Sequence, residues 1–411
     1  MRDLMASSKA ILILAVVVIV ILAISGAILL SNHSQKSSKS TIPPTSYSST
    51  IVIVVNKNSS TSQSTSTSIA TTTIPSNSTN QSNVSEQSNF TNYIYCVGTA
   101  TQDSNTTYYA PISSAGIGGW NQSANYPIPI FADGCSISNG YIYCVGSPGL
   151  GINSTTNESD KFSYYTAVSS SGTNAWAKTT SYPSLMLDGG CSMANSNIYC
   201  VGGGNYSDPE YAYYAPVSSY GIGVWKQTTS YPTGLFDAGC LIYSGDIYCT
   251  GTEYISVTAN AINLTALGDI YYAPVSNSGI GNWIKTSNYP IPFFGAGCSA
   301  YNSTIYCVGD GYPNTTYSHS AYYAHILQSG GLSSWKPTTN YPVQLSYAGC
   351  VVSNGYLYCV GSYNTTNHTE AYYAPISYSG IGTWIETTSY PTAFFDAYCS
   401  TNGDSGGLYS S

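Results

Sequence analysis

The sequence predicts an all-β fold, a six-bladed β-propeller of four-stranded blades, preceded by one N-terminal transmembrane helix and a disordered stalk. The propeller is predicted by a motif that occurs six times after residue 92 and by cysteine pairs at one constant spacing. The helix and the stalk are predicted by composition, because a long apolar run is followed by a tract of serine, threonine and asparagine.

The repeated motif has a period of about 48 to 58 residues, with short β-rich runs separated by glycines and aromatic residues. A period of this length with such punctuation is typical of propeller blades. A clear copy is YYAPVSSYGIGVWKQTTSYPTGLFDAGCLIYSGDIYCTG, residues Tyr213–Gly251. One tryptophan recurs at the same place in every copy: Trp120, Trp176, Trp225, Trp283, Trp335 and Trp384. A large aromatic residue at one register per blade predicts packing between blades.

Five cysteine pairs have eight residues between the partners and a turn dipeptide midway. In the first pair the dipeptide is Asn139-Gly140, a strong signal for a two-residue hairpin turn. Counting outward from this turn places Cys135 opposite Cys144 at a non-hydrogen-bonded site, where Cα atoms approach to about 4.5 Å. That distance is within disulfide range, with buried reduced thiols as the alternative. The predicted bonds are Cys135–Cys144, Cys191–Cys200, Cys240–Cys249, Cys298–Cys307 and Cys350–Cys359.

Two further cysteines lie at opposite ends of the repeat region. Cys96 matches the second cysteine of the motif and Cys399 matches the first. If the six units close into a ring, the two meet, and the last strand of the chain completes the first blade. The sequence therefore predicts a sixth disulfide, Cys96–Cys399.

The order of residues within the repeat carries a resemblance to a known family. A strand ending in two glycines is followed by tyrosines, a tryptophan and a proline-bearing loop: Ile198–Gly203, Tyr213-Tyr214, Trp225 and Tyr231-Pro232. This order resembles the kelch motif of the galactose-oxidase-like β-propellers, and the resemblance covers residues 92–400. It implies the propeller fold. The repeats depart from the motif in lacking the arginine before the inner strand, in keeping the second glycine only at Gly203, and in having the extra cysteines.

The rest of the chain divides by composition. Residues 1–9 are predicted to be a cytoplasmic N-terminus, and the uncharged run Ala10–Leu30 is long enough to cross a bilayer as a helix. Residues 31–91 are too poor in apolar residues to form a core and are predicted to be a stalk, and residues 401–411 are predicted to be a tail. The cysteines and the abundant Asn-x-Ser/Thr sequons after the apolar run predict a single-pass cell-membrane glycoprotein with the propeller outside the cell. The propeller face formed by the loops after the second cysteine of each blade carries sequons at Asn105, Asn153, Asn157, Asn205, Asn263, Asn314, Asn364 and Asn367.

The scarcity of charge excludes several functions. Only 7% of residues are charged and the net charge is −8, so nucleic-acid binding is not expected. The single arginine is Arg2, which leaves the propeller without the arginine clamp that a sialidase needs.

Two further kinds of catalytic site are not expected. The segment Gly403–Gly407, GDSGG, resembles the nucleophile region of trypsin-like proteases, but the chain lacks that family's histidine context. The histidines of the repeats, His319, His325 and His368, lie beside outer strands, so a galactose-oxidase-like copper site is not expected either.

Four aspartates are the candidate binding residues. Asp133, Asp188, Asp237 and Asp396 each lie two or three residues before an inner-strand cysteine, which places them near one mouth of the propeller channel. Carboxylates there could hold Ca²⁺ or a sugar. The alternative is that they cap turns at the step from loop to strand.

These observations favour a membrane-anchored extracellular module that binds a protein or glycan, mediates adhesion or builds the cell surface. No catalytic residue and no obligatory cofactor are predicted. The alternative is an extracellular carbohydrate-active enzyme that uses two of the four aspartates, which would then lie about 5–10 Å apart.

Overall fold

The fold comes from a computed structural model. It describes residues 92–98, 104–130, 134–146, 161–184, 186, 189–202, 210–235, 239–258, 261–291, 295–310, 318–345, 349–361, 369–394 and 398–402. These residues form a six-bladed β-propeller. Within these ranges there is no helix with the length and apolar character needed to cross a bilayer. The predicted anchor, residues 10–30, and the predicted stalk lie outside them.

The propeller contains twenty-nine strands in its described part. The first fifteen are β1 Asn92–Val97, β2 Thr107–Ser113, β3 Gly116–Ile117, β4 Asn121–Gln122, β5 Gly134–Ser138, β6 Tyr141–Val145, β7 Ser163–Ser169, β8 Gly172–Thr173, β9 Ala177–Lys178, β10 Gly190–Ala194, β11 Asn197–Val201, β12 Ala212–Ser218, β13 Gly221–Ile222, β14 Lys226–Gln227 and β15 Gly239–Tyr243. The others are β16 Asp246–Thr258, β17 Ala261–Ser276, β18 Gly279–Ile280, β19 Ile284–Lys285, β20 Gly297–Tyr301, β21 Thr304–Asp310, β22 Ser318–His325, β23 Lys336–Pro337, β24 Gly349–Ser353, β25 Tyr356–Val360, β26 Ala371–Ser377, β27 Gly380–Ile381, β28 Ile385–Glu386 and β29 Tyr398–Thr401.

Each blade is an antiparallel sheet of three longer strands and one interrupted outer strand. In blade 2 the order is β5-β6-β7, and the outer strand consists of β8 and β9, which both pair with β7. Blades 3, 4 and 6 repeat this order from β10, β15 and β24. Blade 5 starts at β20 and has β23 as its outer piece, with an isolated bridge between Ile326 and Leu332 nearby. The predicted four-stranded blade is thus present, with its fourth strand split in two.

The hairpins at the centre of the propeller have the predicted register. Cys135 pairs with Cys144 and Ser138 pairs with Tyr141, on either side of the turn Asn139-Gly140. Both turn residues have positive φ, 50° and 76°. Two-residue turns of this kind match the right-handed twist of the strands, which explains why the register is the same in blades 2 to 6.

All twelve cysteines are paired, and the six pairs are the predicted ones. The Cα atoms of the bonded residues are 4.1–4.2 Å apart, slightly closer than the roughly 4.5 Å that the pairing site predicts.

The ring closes through the last strand of the chain. β29 pairs with β1, with Cys96 opposite Cys399, so blade 1 consists of β29 and β1–β4. Asn402 continues the pairing, because its side-chain oxygen accepts a 2.7 Å hydrogen bond from the backbone N–H of Tyr93.

Tyrosine hydroxyls join every blade to the next. Tyr143 in β6 of blade 2 donates a hydrogen bond of 2.8 Å to the carbonyl of Ser218 in blade 3. The other five bonds, of 2.7–2.9 Å, run from Tyr95 to Ser169, Tyr199 to Ser276, Tyr248 to Gly330, Tyr306 to Ser377 and Tyr358 to Ser113. The last of these bonds joins blade 6 to blade 1, so the series runs around the whole ring.

The six tryptophans lie between blades, as the repeat predicts. Trp225 packs edge-on against Tyr182, with ring centroids 4.9 Å apart, and its indole N–H donates to the carbonyl of Thr180. Equivalent ring pairs, at 4.8–5.0 Å, are Trp120–Tyr390, Trp176–Tyr126, Trp283–Tyr231, Trp335–Tyr289 and Trp384–Tyr341.

Candidate functional site

The candidate site is the channel along the propeller axis. The first strands of the six blades, β29, β5, β10, β15, β20 and β24, are the inner strands, and each packs against the inner strands of both neighbouring blades. They surround a cavity of about 480 Å³. Its lining extends from the cysteines of the inner strands to hairpin-turn residues such as Asn139 and Asn354.

Glycines at the start of the inner strands allow the blades to approach closely. A Cβ added at Gly190 would lie 2.7 Å from the backbone nitrogen of Cys240 in the next blade. At Gly134 and Gly349 the added Cβ would lie 2.5–2.6 Å from the Sγ of the neighbouring blade's cysteine. No real Cβ tolerates such distances, so these positions require glycine.

The closing strand, β29, does not begin with glycine. Tyr398 occupies the position of the glycine in β29, where it is partly buried against the core between blades 1 and 2. Burial raises the pKa of its phenol to about 12. Tyr398 also lines the cavity, so the channel is not six-fold symmetric.

Uncharged residues line the channel. None of the described residues that border the cavity is ionic, and most of its polar groups are serine hydroxyls and asparagine amides. These polar residues are Asn92, Ser136, Ser138, Asn139, Ser192, Ser299, Asn354, Ser400, Thr401 and Asn402.

Some of these polar groups are already hydrogen-bonded and others are available. Ser299 donates to the carbonyl of Cys350 at 3.1 Å, and the amide of Asn92 donates to the hydroxyl of Ser353 at 2.6 Å. The half-buried hydroxyls of Ser136 and Ser192 make no hydrogen bond within the described part of the chain. They can therefore both donate to and accept from a ligand.

The four aspartates singled out from the sequence, Asp133, Asp188, Asp237 and Asp396, lie outside the described residues. Ca²⁺ or carboxylate chemistry at these positions therefore stays a prediction. Gly403–Gly407 and the sequons at Asn153, Asn157, Asn205, Asn314, Asn364 and Asn367 also lie outside the described ranges.

The described histidines are away from the channel lining. His319 and His325 are on β22, the third strand of blade 5, and His368 lies outside the described residues. The ring of His325 stacks on Tyr378 with centroids 3.7 Å apart, and burial lowers its pKa. Among the residues that the structure describes, no three His, Cys, Asp or Glu side chains come together as a metal site.

The serines of the channel were not among the residues that sequence reasoning selected. They occupy the position directly after the inner-strand cysteine, which is Ser136, Ser192, Leu241, Ser299, Val351 and Ser400 in the six blades. A polar residue at four of six such positions is a usable signal, because this register is fixed by the cysteine. Short hydroxyl residues are so common in this chain that the signal does not stand out in composition.

Fold and site together define a six-bladed β-propeller whose axial cavity has no ionic group among its described lining residues. No protein-family model matches the sequence, and no curated protein matches it. Among solved structures, the chain is similar to one described as "Structure of YjhT", with 13% sequence identity and a TM-score of 0.49. That similarity covers 64% of this chain and 85% of the other. A similarity at this level carries no inference about function, and the kelch-type repeat stays a prediction.

Proposed function

We propose that the protein is a membrane-anchored, extracellular binding module that takes an uncharged glycan at its axial channel. The observation that carries the proposal is the channel lining, which combines neutral donors and acceptors and has no ionic group among its described residues. Sugar hydroxyls both donate and accept, as Ser136 and Ser192 do. An acidic ligand would instead call for cationic side chains at the site.

Export and anchoring are part of the same proposal. Six disulfides are expected of a protein that folds in an oxidising compartment. The apolar run Ala10–Leu30 has the length and composition of a membrane-spanning helix.

The test is binding of the full chain to a panel of neutral and acidic oligosaccharides, with and without Ca²⁺. The key variant is Ser136→Val combined with Ser192→Val, because Val351 already occupies this register in blade 6. We expect neutral glycans to bind the parent chain and this variant to lose at least tenfold in affinity without unfolding. The control is Ser219→Val, on an exposed turn of blade 3.

Two results would contradict the proposal. One is selective binding of acidic glycans, and the other is neutral-glycan binding that the double variant leaves unchanged. A requirement for Ca²⁺ would instead direct attention to Asp133, Asp188, Asp237 and Asp396.

The alternative function is a carbohydrate-active enzyme that uses Asp133, Asp188, Asp237 or Asp396. It is favoured by one observation, which is that inner strands begin at Gly134, Gly190, Gly239 and Tyr398, one or two residues after these aspartates. Glycan cleavage that is lost on Asp→Asn substitution at two of the four positions would establish it. Glycan binding without glycan cleavage would support the proposed binding module.

A further inference from the structure

The outer rim of the propeller points to a modification site. The second piece of the interrupted outer strand in each blade (β4 in blade 1 and β9 in blade 2) is here called the outermost strand. It is two residues long and pairs on one side only. Exposed edges of this kind attract other strands, and proteins protect them with charged side chains, prolines and short lengths. In five blades the outermost strand contains one charged residue: Ala177-Lys178, Lys226-Gln227, Ile284-Lys285, Lys336-Pro337 and Ile385-Glu386.

Blade 1 is the exception. Its outermost strand, Asn121–Gln122, is exposed and uncharged. The register is the same as in the other blades, because Asn121 pairs with Tyr109 as Lys226 pairs with Tyr214. At the register of Asn121, blades 3 and 5 have Lys226 and Lys336. At the register of Gln122, blades 2, 4 and 6 have Lys178, Lys285 and Glu386. Blade 1 has an amide at both registers, and the first of these is the amide of Asn121.

That amide starts a glycosylation sequon, Asn121-Gln122-Ser123. Among the sequons in the described residues, which are Asn105, Asn121, Asn263 and Asn302, Asn121 is the one on an outermost strand. Its Nδ2 donates a single 3.2 Å bond to the carbonyl of Gly119. The edge that lacks a charge is thus the edge that can receive a glycan.

The third residue of the sequon takes part in a contact between blades 1 and 2. The Oγ of Ser123 accepts a 2.6 Å hydrogen bond from the backbone N–H of Thr173 and lies 2.7 Å from its Oγ1. Thr173 belongs to blade 2, so the hydroxyl is occupied once the two blades have docked. If transfer requires this hydroxyl to be free, it precedes that docking.

We propose that Asn121 carries an N-linked glycan that shields the outer edge of blade 1. In the transfer, the Asn121 amide nitrogen forms a bond to the anomeric carbon of a glycan carried on a lipid pyrophosphate. The bond from that carbon to the pyrophosphate oxygen breaks, the lipid pyrophosphate leaves, and the amide releases one proton. The modification rests on the proposed export of the propeller.

The experiment expresses the full chain in a eukaryotic secretory host and maps its glycopeptides by mass spectrometry. We expect the peptide containing Asn121 to carry a glycan. The purified Asn121→Gln variant is expected to self-associate, so that its monomer fraction in analytical ultracentrifugation falls as the protein concentration rises. Asn121→Lys, which restores the charge found in blade 3, is expected to remain monomeric.

The results of this experiment distinguish failure of the Asn121 proposal from failure of the proposed export. An unmodified Asn121 beside a glycosylated Asn105 or Asn302 would overturn the inference and leave export standing. Absence of glycan at every sequon, together with reactive cysteine thiols, would overturn both. Asn121→Gln that stays as monomeric as the parent would overturn the shielding role.

Discussion

Two of the hairpin turns have serine at a position where the turn conformation favours glycine. Type I′ turns need positive φ at both central positions, which glycine adopts freely and other residues adopt at a cost of about 1–2 kcal/mol. Gly140 provides the second position in blade 2, whereas Ser196 in blade 3 has φ 58° and Ser303 in blade 5 has φ 57°. The two serines therefore carry local strain that a glycine would relieve.

Ser196→Gly should stabilise the protein by about 0.5–1 kcal/mol, since relief of the left-handed conformation exceeds the entropy cost of a glycine. Urea unfolding of the full chain measures the change. The reverse substitution, Gly140→Ser, is the matched control and should destabilise by about 1 kcal/mol. No change in either variant would mean that the turns do not have the described conformation.

The inter-blade tyrosines make the fold sensitive to alkaline pH. Burial raises the pKa of Tyr143 to about 12, with smaller contributions from Tyr141 and Tyr165. The unfolded chain releases the same proton near pH 10. Because the folded state binds more protons than the unfolded state in this interval, stability is lost as pH rises from about 10 towards 12.

Tyr143→Phe should reduce that alkaline loss and cost about 1 kcal/mol at neutral pH, because the Ser218 carbonyl loses its donor. Denaturant unfolding at several pH values checks both effects. The control is Tyr165→Phe, since Tyr165 stacks on Tyr143 but its hydroxyl makes no bond to the described residues. An equal effect of the two substitutions would rule out the hydrogen bond as the cause.

The inner strand is the element that sets the tightness of the ring. Its first residue is glycine in blades 2 to 6, and the neighbouring blade's cysteine occupies the space where a Cβ would be in blades 2, 3 and 6. Gly190→Ala should therefore cost about 1–3 kcal/mol through overpacking. Gly119→Ala, where no atom lies within 4 Å, should be close to neutral in the same thermal unfolding assay. Equal tolerance of both substitutions would contradict the close packing.

At the scale of the whole molecule, stability depends on closure of the ring. The Cys96–Cys399 bond spans 303 residues, whereas Cys350–Cys359 spans 9. Loop-closure entropy gives about 6 kcal/mol for the long loop and about 3 kcal/mol for the short one. Replacing Cys96 and Cys399 by alanine should thus destabilise about twice as much as replacing Cys350 and Cys359, measured by denaturant unfolding. Equal losses would show that closure does not depend on the long-range bond.

The sequence predicted the architecture because one register recurs in every blade. The spacing from Cys135 to Cys144 around Asn139-Gly140 predicts the hairpin. Cys96 and Cys399, which have no partner within their own copies of the motif, predict the closure of the ring. The split outer strand was not predicted, because two-residue strands such as β3 and β4 leave no periodic pattern. The uncharged lining in the described part of the channel was also missed, because a serine beside a cysteine has no distinctive chemistry until six strands bring such positions to one axis.

The most direct test of this account is a peptide map of the non-reduced full chain by mass spectrometry. A closed ring predicts a disulfide-linked pair of peptides, one containing Cys96 and the other containing Cys399, that separates on reduction. The bond forms where the last strand pairs with β1 and completes the first blade. A free thiol at Cys96, or a bond from Cys96 to any other cysteine, would contradict the closed ring and the site within it.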